Sequence, residues 1–377
     1  MIEDNKIWDD ETEDSDESAG VNEAPFDPKL IQVYPKSLVM DLLIRRIRSG
    51  ALDLHPDFQR SSGVWTKTKQ SRLIESLLIR IPIPSFYFDA SRDDHWLVVD
   101  GLQRLSTVYD FVCGKLKLVN LEFLHNFEGL TYAQLPPQFQ MRIDEAEVSC
   151  YLIMPGTPLR VKFDIFRRIN TGGVQLSQQE IRHALNIGPC TELIRVMAES
   201  PEFIRATDGK LSRQRMADRE CALRYLVFST QSHEEYQRKD FNLFLCDFMS
   251  DFNRQYAGQD PTAGALREIV ERFRAVMSFA HELFGKLAFR KVRSLDDPQR
   301  AVNKALFEAW SVNLSELNAL ERDVLIGRKK DLMDSLILRL NEDEDFLKSV
   351  SQGTGDVAMV HKRFRTVQDI IREVMYA

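Results

Sequence analysis

The chain has no apolar run approaching the roughly eighteen residues that a membrane-spanning helix demands, so no membrane contact is expected. Cysteine is scarce: Cys113, Cys150, Cys190, Cys221 and Cys246 stand far apart, with no C-x-x-C pair and no histidine at zinc-ligand spacing. That pattern argues against a disulfide-built secreted domain or a zinc ribbon, and makes a reducing, cytosolic compartment the expectation. The seven histidines are isolated from one another. No internal repeat and no sustained heptad run is present. The opening stretch MIEDNKIWDDETEDSDE is the reverse of a signal peptide, which needs a basic start and an apolar middle.

What is present is uneven charge. The chain sums to −7, yet residues 1–24 hold ten acids and one base, so the remainder is about +2. A segment so acidic and so poor in apolar residues cannot bury enough surface to collapse by itself, and a disordered tail is expected over 1–24. Two readings of it stand: a solubilising tail, or an intramolecular competitor that covers a basic site until a polyanion displaces it.

Hydrophobic spacing divides the rest into two regions. In PKSLVMDLLIRRIRSGALDL, residues Leu38, Leu42, Leu43 and Ile47 fall on one helical stripe, with Ser37 as N-cap and Gly50 past the end. TKTKQSRLIESLLIRIPIP predicts a second helix with Leu73, Ile74, Leu77 and Leu78 inward. SFYFDA, HWLVVD and EVSCYLIMPG have strand character, the first two around the polar turn SRDD. LRVKFDIFRRINTGGVQLSQQEIRHALNIG reads as helix, Gly-Gly turn, helix, with Ser177 capping the second. Beyond about residue 190 nearly every segment spaces its apolar residues by three and four. The expectation is a small α+β domain over 25–190 and a helical domain over 191–377.

One stretch poses a chemical problem. WLVVDGLQRLSTVYDF, residues 96–111, runs from a strand through Asp-Gly into a helix that carries Arg104 in its first turn. A cation is badly placed there, because a helix N-terminus already bears partial positive charge. On a helical wheel Leu105, Val108, Tyr109 and Val112 share the buried face, while Gln103, Arg104 and Thr107 point broadly away. An anion at the turn resolves the conflict, since helix-opening amides form an anion site and glycine admits close approach. Pairing of Arg104 with Asp100 resolves it equally well. HPDFQR, with Gln59 and Arg60, and FRRINTGG, with Arg167, Arg168, Asn170, Thr171 and Gly172, repeat the combination of arginine, amide or hydroxyl, and turn. Three such segments suggest a shared polyphosphate or nucleic-acid site, with salt bridges inside the fold as the competing account.

HPDFQRSSGVW, RLIESLLIRIPIPSFYF, VVDGLQRLSTV, FRRINTGGVQLSQQEIRHAL, RMADRECALRYLVF and VNKALFEA, taken in order over about residues 30–310, resemble successive blocks of one family. It is the DGQQR-signature family that forms the N-terminal half of GmrSD-type modification-dependent restriction enzymes and occurs in phage-defence proteins that sense modified DNA. The resemblance implies a ParB/sulfiredoxin-like α+β domain ahead of the mainly helical half, and binding and hydrolysis of a nucleoside triphosphate. Asp100, Gly101, Gln103 and Arg104 match the signature, with Leu102 where its first glutamine usually stands. Gln59 and Arg60 match the family's FQR block, Asn170, Thr171 and Gly172 its INT-G block, and Glu75 a family carboxylate that faces either the site or solvent.

The resemblance therefore implies a catalytic group of Asp100, Gln103 and Arg104. It implies phosphate contacts from Gln59, Arg60, Gly101, Arg168, Asn170, Thr171 and Gly172, and magnesium held through Asp100. Larger family members carry a nuclease domain with paired histidines. No HH, HxN-type or DxxxE-plus-K cluster stands out in the second half here, so no nuclease site is expected. Expected partners are a nucleoside triphosphate, DNA or a partner defence protein, and further copies of the chain. The rival reading is a non-catalytic DNA- or protein-binding adaptor that uses the same arginines.

Overall fold

A computed structural model describes residues 30–54, 65–92, 94–169, 176–213, 215–238, 240–260 and 263–376. The acidic segment 1–24 lies outside these residues. The chain divides into two compact units between Leu176 and Ser177, where the sequence reading set the boundary near 190. The helix Gln178–Leu185 falls in the second unit because its polar side chains are used there: Ser177 donates to the Arg215 carbonyl at 2.8 Å, and Arg182 donates to Asn242.

The first unit is built on five strands: β1 (Val33–Val39), β2 (Leu52–Asp53), β3 (Phe86–Arg92), β4 (His95–Asp100) and β5 (Glu147–Ile153), in the order β1-β5-β3-β4-β2. β1/β5 and β3/β4 pair antiparallel; β3/β5 and β2/β4 pair parallel. Its helices are α1 (Met40–Arg48), α2 (Lys67–Leu78), α3 (Leu102–Val112), α4 (Pro137–Asp144) and α5 (Leu159–Ile169). The alternation of Phe86, Phe88 and Ala90 with Tyr87, Asp89 and Ser91 puts the first set in the core. They meet Val98, Cys150, Leu152, Ile74, Leu105 and Phe111 there.

Around Ser37 the sequence reading needs correction. Residues 33–39 are strand, not helix, and Ser37 pairs with Ser149 instead of capping α1. Seven residues of antiparallel pairing with β5 decide for the strand, so tertiary contact overrides the local pattern. The buried stripe becomes Met40, Leu43 and Ile44, and Leu42 is 39% exposed. The second helix matches expectation: Leu73, Ile74, Leu77 and Leu78 are buried and Thr66 caps it. So do the β3–β4 pair, β5, and Ser177 as a cap reinforced by Glu180.

The second unit is helical throughout its described residues. It contains α6 (Gln178–Leu185), α7 (Pro189–Ala198), α8 (Pro201–Ala206), α9 (Ala217–Thr230), α10 (Phe241–Gln255), α11 (Gly264–Phe284), α12 (Lys304–Ser315), α13 (Ala319–Gly327), α14 (Lys329–Glu342), α15 (Glu344–Ser349) and α16 (Val357–Tyr376). Its apolar core centres on α9, α11, α12 and α16. Threaded through that core is a lattice of charge. Glu220 accepts from Arg224 at 2.7 and 3.0 Å and from Lys304 at 2.9 Å, with Arg182 at 3.5 Å. Glu308 accepts from Arg363 and lies 3.3 Å from Arg224. Burial alone raises the Glu220 pKa, but Lys304, Arg224 and Arg182 outweigh it and hold the carboxyl well below the usual carboxylate range.

Candidate functional site

The Asp-Gly turn sits where β4 ends and α3 begins. Gly101 adopts φ 98°, a left-handed conformation that L side chains rarely take, and no side chain caps the helix behind it. The first helical bond runs from the Leu105 N–H to the Gly101 carbonyl at 2.9 Å. A Cβ on Gly101 would stand 2.4 Å from the Phe86 ring, so the close approach that demands glycine here is made by Phe86.

Arg104 answers the question its position raised. Its guanidinium turns back on its own strand, donating to Asp100 Oδ2 at 2.6 Å, to the Ser85 carbonyl at 3.2 Å and to the Pro84 carbonyl. It also lies over the Phe86 ring, 4.8 Å from the centroid. The wheel placed Arg104 and Thr107 on the exposed side; both are buried. An arginine is tolerated in the opening turn because a carboxylate and two carbonyls take its charge. Burial pulls its pKa below the ordinary value and Asp100 opposes that shift.

Asp100 itself stays partly open, with 28% of its side chain exposed. The β3/β4 pairing slips by one residue between Phe88↔Val98 and Tyr87↔Asp100, a bulge that sets Asp100 opposite Tyr87. Tyr87 registers that neighbour: burial, then Tyr151, then Asp100 push its pKa up. Gln103 is half-buried and accepts a long bond, 3.5 Å, from the Trp65 amide. Asp100, Gly101, Gln103 and Arg104 thus share one turn. Arg168 is exposed near the end of α5. Gln59, Arg60, Asn170, Thr171 and Gly172 lie outside the described residues.

Glu75 takes neither orientation expected of it. It is buried and accepts from the backbone amides of Glu122 (2.9 Å), Phe123 (2.7 Å) and Leu124 (2.8 Å). Burial pushes its pKa up, but the three amides more than offset this and hold it below the ordinary value. Its role is to pin a loop onto α2. Sequence reading also missed Lys162, which reaches from α5 to Asp89 at 3.0 Å, and the buried lattice. The lattice had a signal: Glu220 with Arg224, and Lys304 with Glu308, stand four apart on helices whose other residues are mostly apolar.

Among the described residues no three His, Cys, Asp or Glu side chains gather in a cluster that would hold a metal. A magnesium ion carried by a triphosphate asks only one or two carboxylates of the protein, and Asp100 offers one. No helix among the described residues is long and apolar enough to cross a membrane. No curated protein and no solved structure matches the chain. Residues 41–187, which hold the Asp100 turn, Glu75 and α5 but stop short of the RMADRE and VNKALFEA blocks, match the model of one family: the GmrSD restriction endonuclease, N-terminal domain.

Proposed function

We propose that the chain is the nucleoside-triphosphate-binding and hydrolysing component of a bacterial phage-defence or DNA-modification-linked system. The observation that carries this is an α3 N-terminus without a side-chain cap, beside a half-open carboxylate that Arg104 holds in place. The phosphates take the positive end of the helix. Asp100 holds the magnesium that accompanies them, whose charge neutralises the phosphate oxygens. Gln103 orients the attacking water. Arg104 positions Asp100 by tying it to the Pro84 and Ser85 carbonyls, which alters the direct phosphate role expected from sequence. Catalysis of this kind is mostly positioning and electrostatics. The family match supplies the setting, and DNA or a partner defence protein is the expected downstream contact.

The rival, an adaptor without turnover, draws on the same observation about Arg104: a guanidinium committed to protein acceptors braces a fold whether or not chemistry follows. Phosphate release from each of the four ribonucleoside triphosphates with magnesium separates the two, with and without DNA. Release by the parent, absent in Asp100→Asn and Arg104→Ala, supports the enzyme. Undiminished release by Asp100→Asn sinks the assignment of Asp100, and no release under any condition favours the adaptor.

A further inference from the structure

The sheet face opposite the core brings two tyrosines beside Asp100. Tyr87 stands opposite Asp100 across β3 and β4, and opposite Tyr151 across β3 and β5. Three neighbouring strands therefore contribute one row: Asp100, Tyr87, Tyr151. The two tyrosine rings lie against each other, with centroids 4.8 Å apart and planes 14° from parallel. Their facing surfaces are used in that contact, so the pair presents ring edges and hydroxyls. Among the described residues neither hydroxyl has a hydrogen-bond partner, and neither is sealed from solvent. β3 and β5 run parallel, so side chains at paired positions lean the same way. The two hydroxyls then stand about 5 Å apart, one strand spacing. Tyrosine is longer than aspartate, so both reach farther from the sheet than the Asp100 carboxyl.

We propose that the Tyr87 and Tyr151 hydroxyls donate hydrogen bonds to the phosphate oxygens of a nucleoside triphosphate seated at the Asp100–Gly101 turn. The inference rests on the nucleotide reading above and adds two binding residues to it. The need for such donors follows from Arg104, whose guanidinium is committed to Asp100 and to the Pro84 and Ser85 carbonyls. Burial, then Tyr151, then Asp100 push the Tyr87 pKa up, so its hydroxyl keeps the proton it donates at neutral pH. The stack holds both rings in place, so little side-chain freedom is lost when the hydroxyls bind. From Asp100 to Tyr151 is two strand spacings, roughly 10 Å. A chain of three phosphates reaches along that row, where a single phosphate does not. A stacked cross-strand pair also stabilises a sheet by itself. That account uses the rings and leaves the hydroxyls idle, so one oxygen atom on each ring separates the two.

Tyr87→Phe and Tyr151→Phe each remove one hydroxyl and keep the stack. The full chain, parent and variants, is titrated calorimetrically with the magnesium salts of ATP and of tripolyphosphate, which has the phosphates and no base. Each variant is expected to bind both ligands about tenfold more weakly than the parent, the scale of one hydrogen bond to a charged group. Thermal unfolding without ligand should be unchanged in both. Parental affinity in either variant overturns the paired donors and leaves the phosphate turn standing. So does an affinity loss matched by a drop in the ligand-free unfolding temperature, because the hydroxyl then serves the fold. Failure of the parent to bind ATP or tripolyphosphate overturns the donors and the nucleotide reading together.

Discussion

In the first unit Arg104 meets Asp100 with 10% and 28% of the two side chains exposed; in the second, Arg363 meets Glu308 with both at 0%. The chemistry is the same and the surroundings are not. Arg363 donates to Glu308 and to the Ser349 and Thr354 carbonyls, and Glu308 also meets Arg224, so each group is engaged on several sides. Asp100 is held by Arg104 and keeps a face toward solvent. An arginine–carboxylate pair closed on all sides fixes how helices pack. One left half-open presents a carboxylate at a chosen point. The family match covers the half-open pair and, of the closed lattice, only Arg182.

The largest effect should come from opening the closed pair. Arg363→Ala leaves Glu308 buried without its main partner, and removing one member of a buried pair typically costs about 3–5 kcal/mol. Urea unfolding followed by circular dichroism should show a loss of that size. Replacing both groups by apolar residues of similar volume should cost less than Arg363→Ala alone. A loss under about 1 kcal/mol for Arg363→Ala would remove the distinction between the two pairs.

Gly101→Ala comes next. The added Cβ meets the Phe86 ring at 2.4 Å on a backbone with φ 98°, so ring and turn must both shift. Strain at a left-handed non-glycine residue costs about 1–3 kcal/mol, before the displacement of Phe86 is counted. Thermal unfolding measures this loss, and any nucleotide binding by the protein should fall with it.

Glu75→Gln probes a third arrangement, a buried carboxylate facing amides instead of a cation. The neutral group presents an N–H₂ where an acceptor stood, so one of the amides of residues 122–124 loses its partner. A cost of about 2 kcal/mol follows from the usual worth of a charged hydrogen bond. The sign with pH is fixed. Glu75 is depressed in the folded state, so its stabilisation is full above the unfolded value and is lost as pH falls through the folded one. Below about pH 4.3, the ordinary value for a free glutamate, the parent's unfolding free energy should fall more steeply than the variant's. The difference should be at most about 1.4 kcal/mol per pH unit, one proton's worth. Equal slopes would mean that Glu75 is not held ionised by those amides.

How much of this was legible depends on what carried the signal. Periods of two and 3.6 announced β3, β4, β5, α2 and the helical half, because burial on one face writes itself into the spacing. β1 was hidden: Leu38 fits a helical stripe as well as a strand, and only β5, more than a hundred residues later, decides between them. The signature turn was visible as a conflict between arginine and helix dipole, and pairing with Asp100 was one of the two solutions. The other two acceptors, the Pro84 and Ser85 carbonyls, were not visible, since a backbone group about twenty residues upstream has no sequence mark. Glu75 and the Tyr87–Tyr151 row escaped for the same reason: both depend on register between distant segments.

The smallest stability effect is expected at Asp100 itself, and its smallness is the point. Asp100→Asn keeps an oxygen for Arg104 to donate to, and the guanidinium keeps the Pro84 and Ser85 carbonyls. The lost charge was partly open to water, where an arginine–carboxylate pair contributes modestly. Stability should therefore change by no more than about 1 kcal/mol, while magnesium-dependent phosphate release, if the turn is a catalytic site, should disappear. The two readouts together decide what the half-open pair is for. Near-parent stability with lost release makes Asp100 a group whose work is on a ligand. A loss near that of Arg363→Ala would mean that Asp100 braces the fold as Glu308 does, and the contrast between the two units would be one of exposure alone.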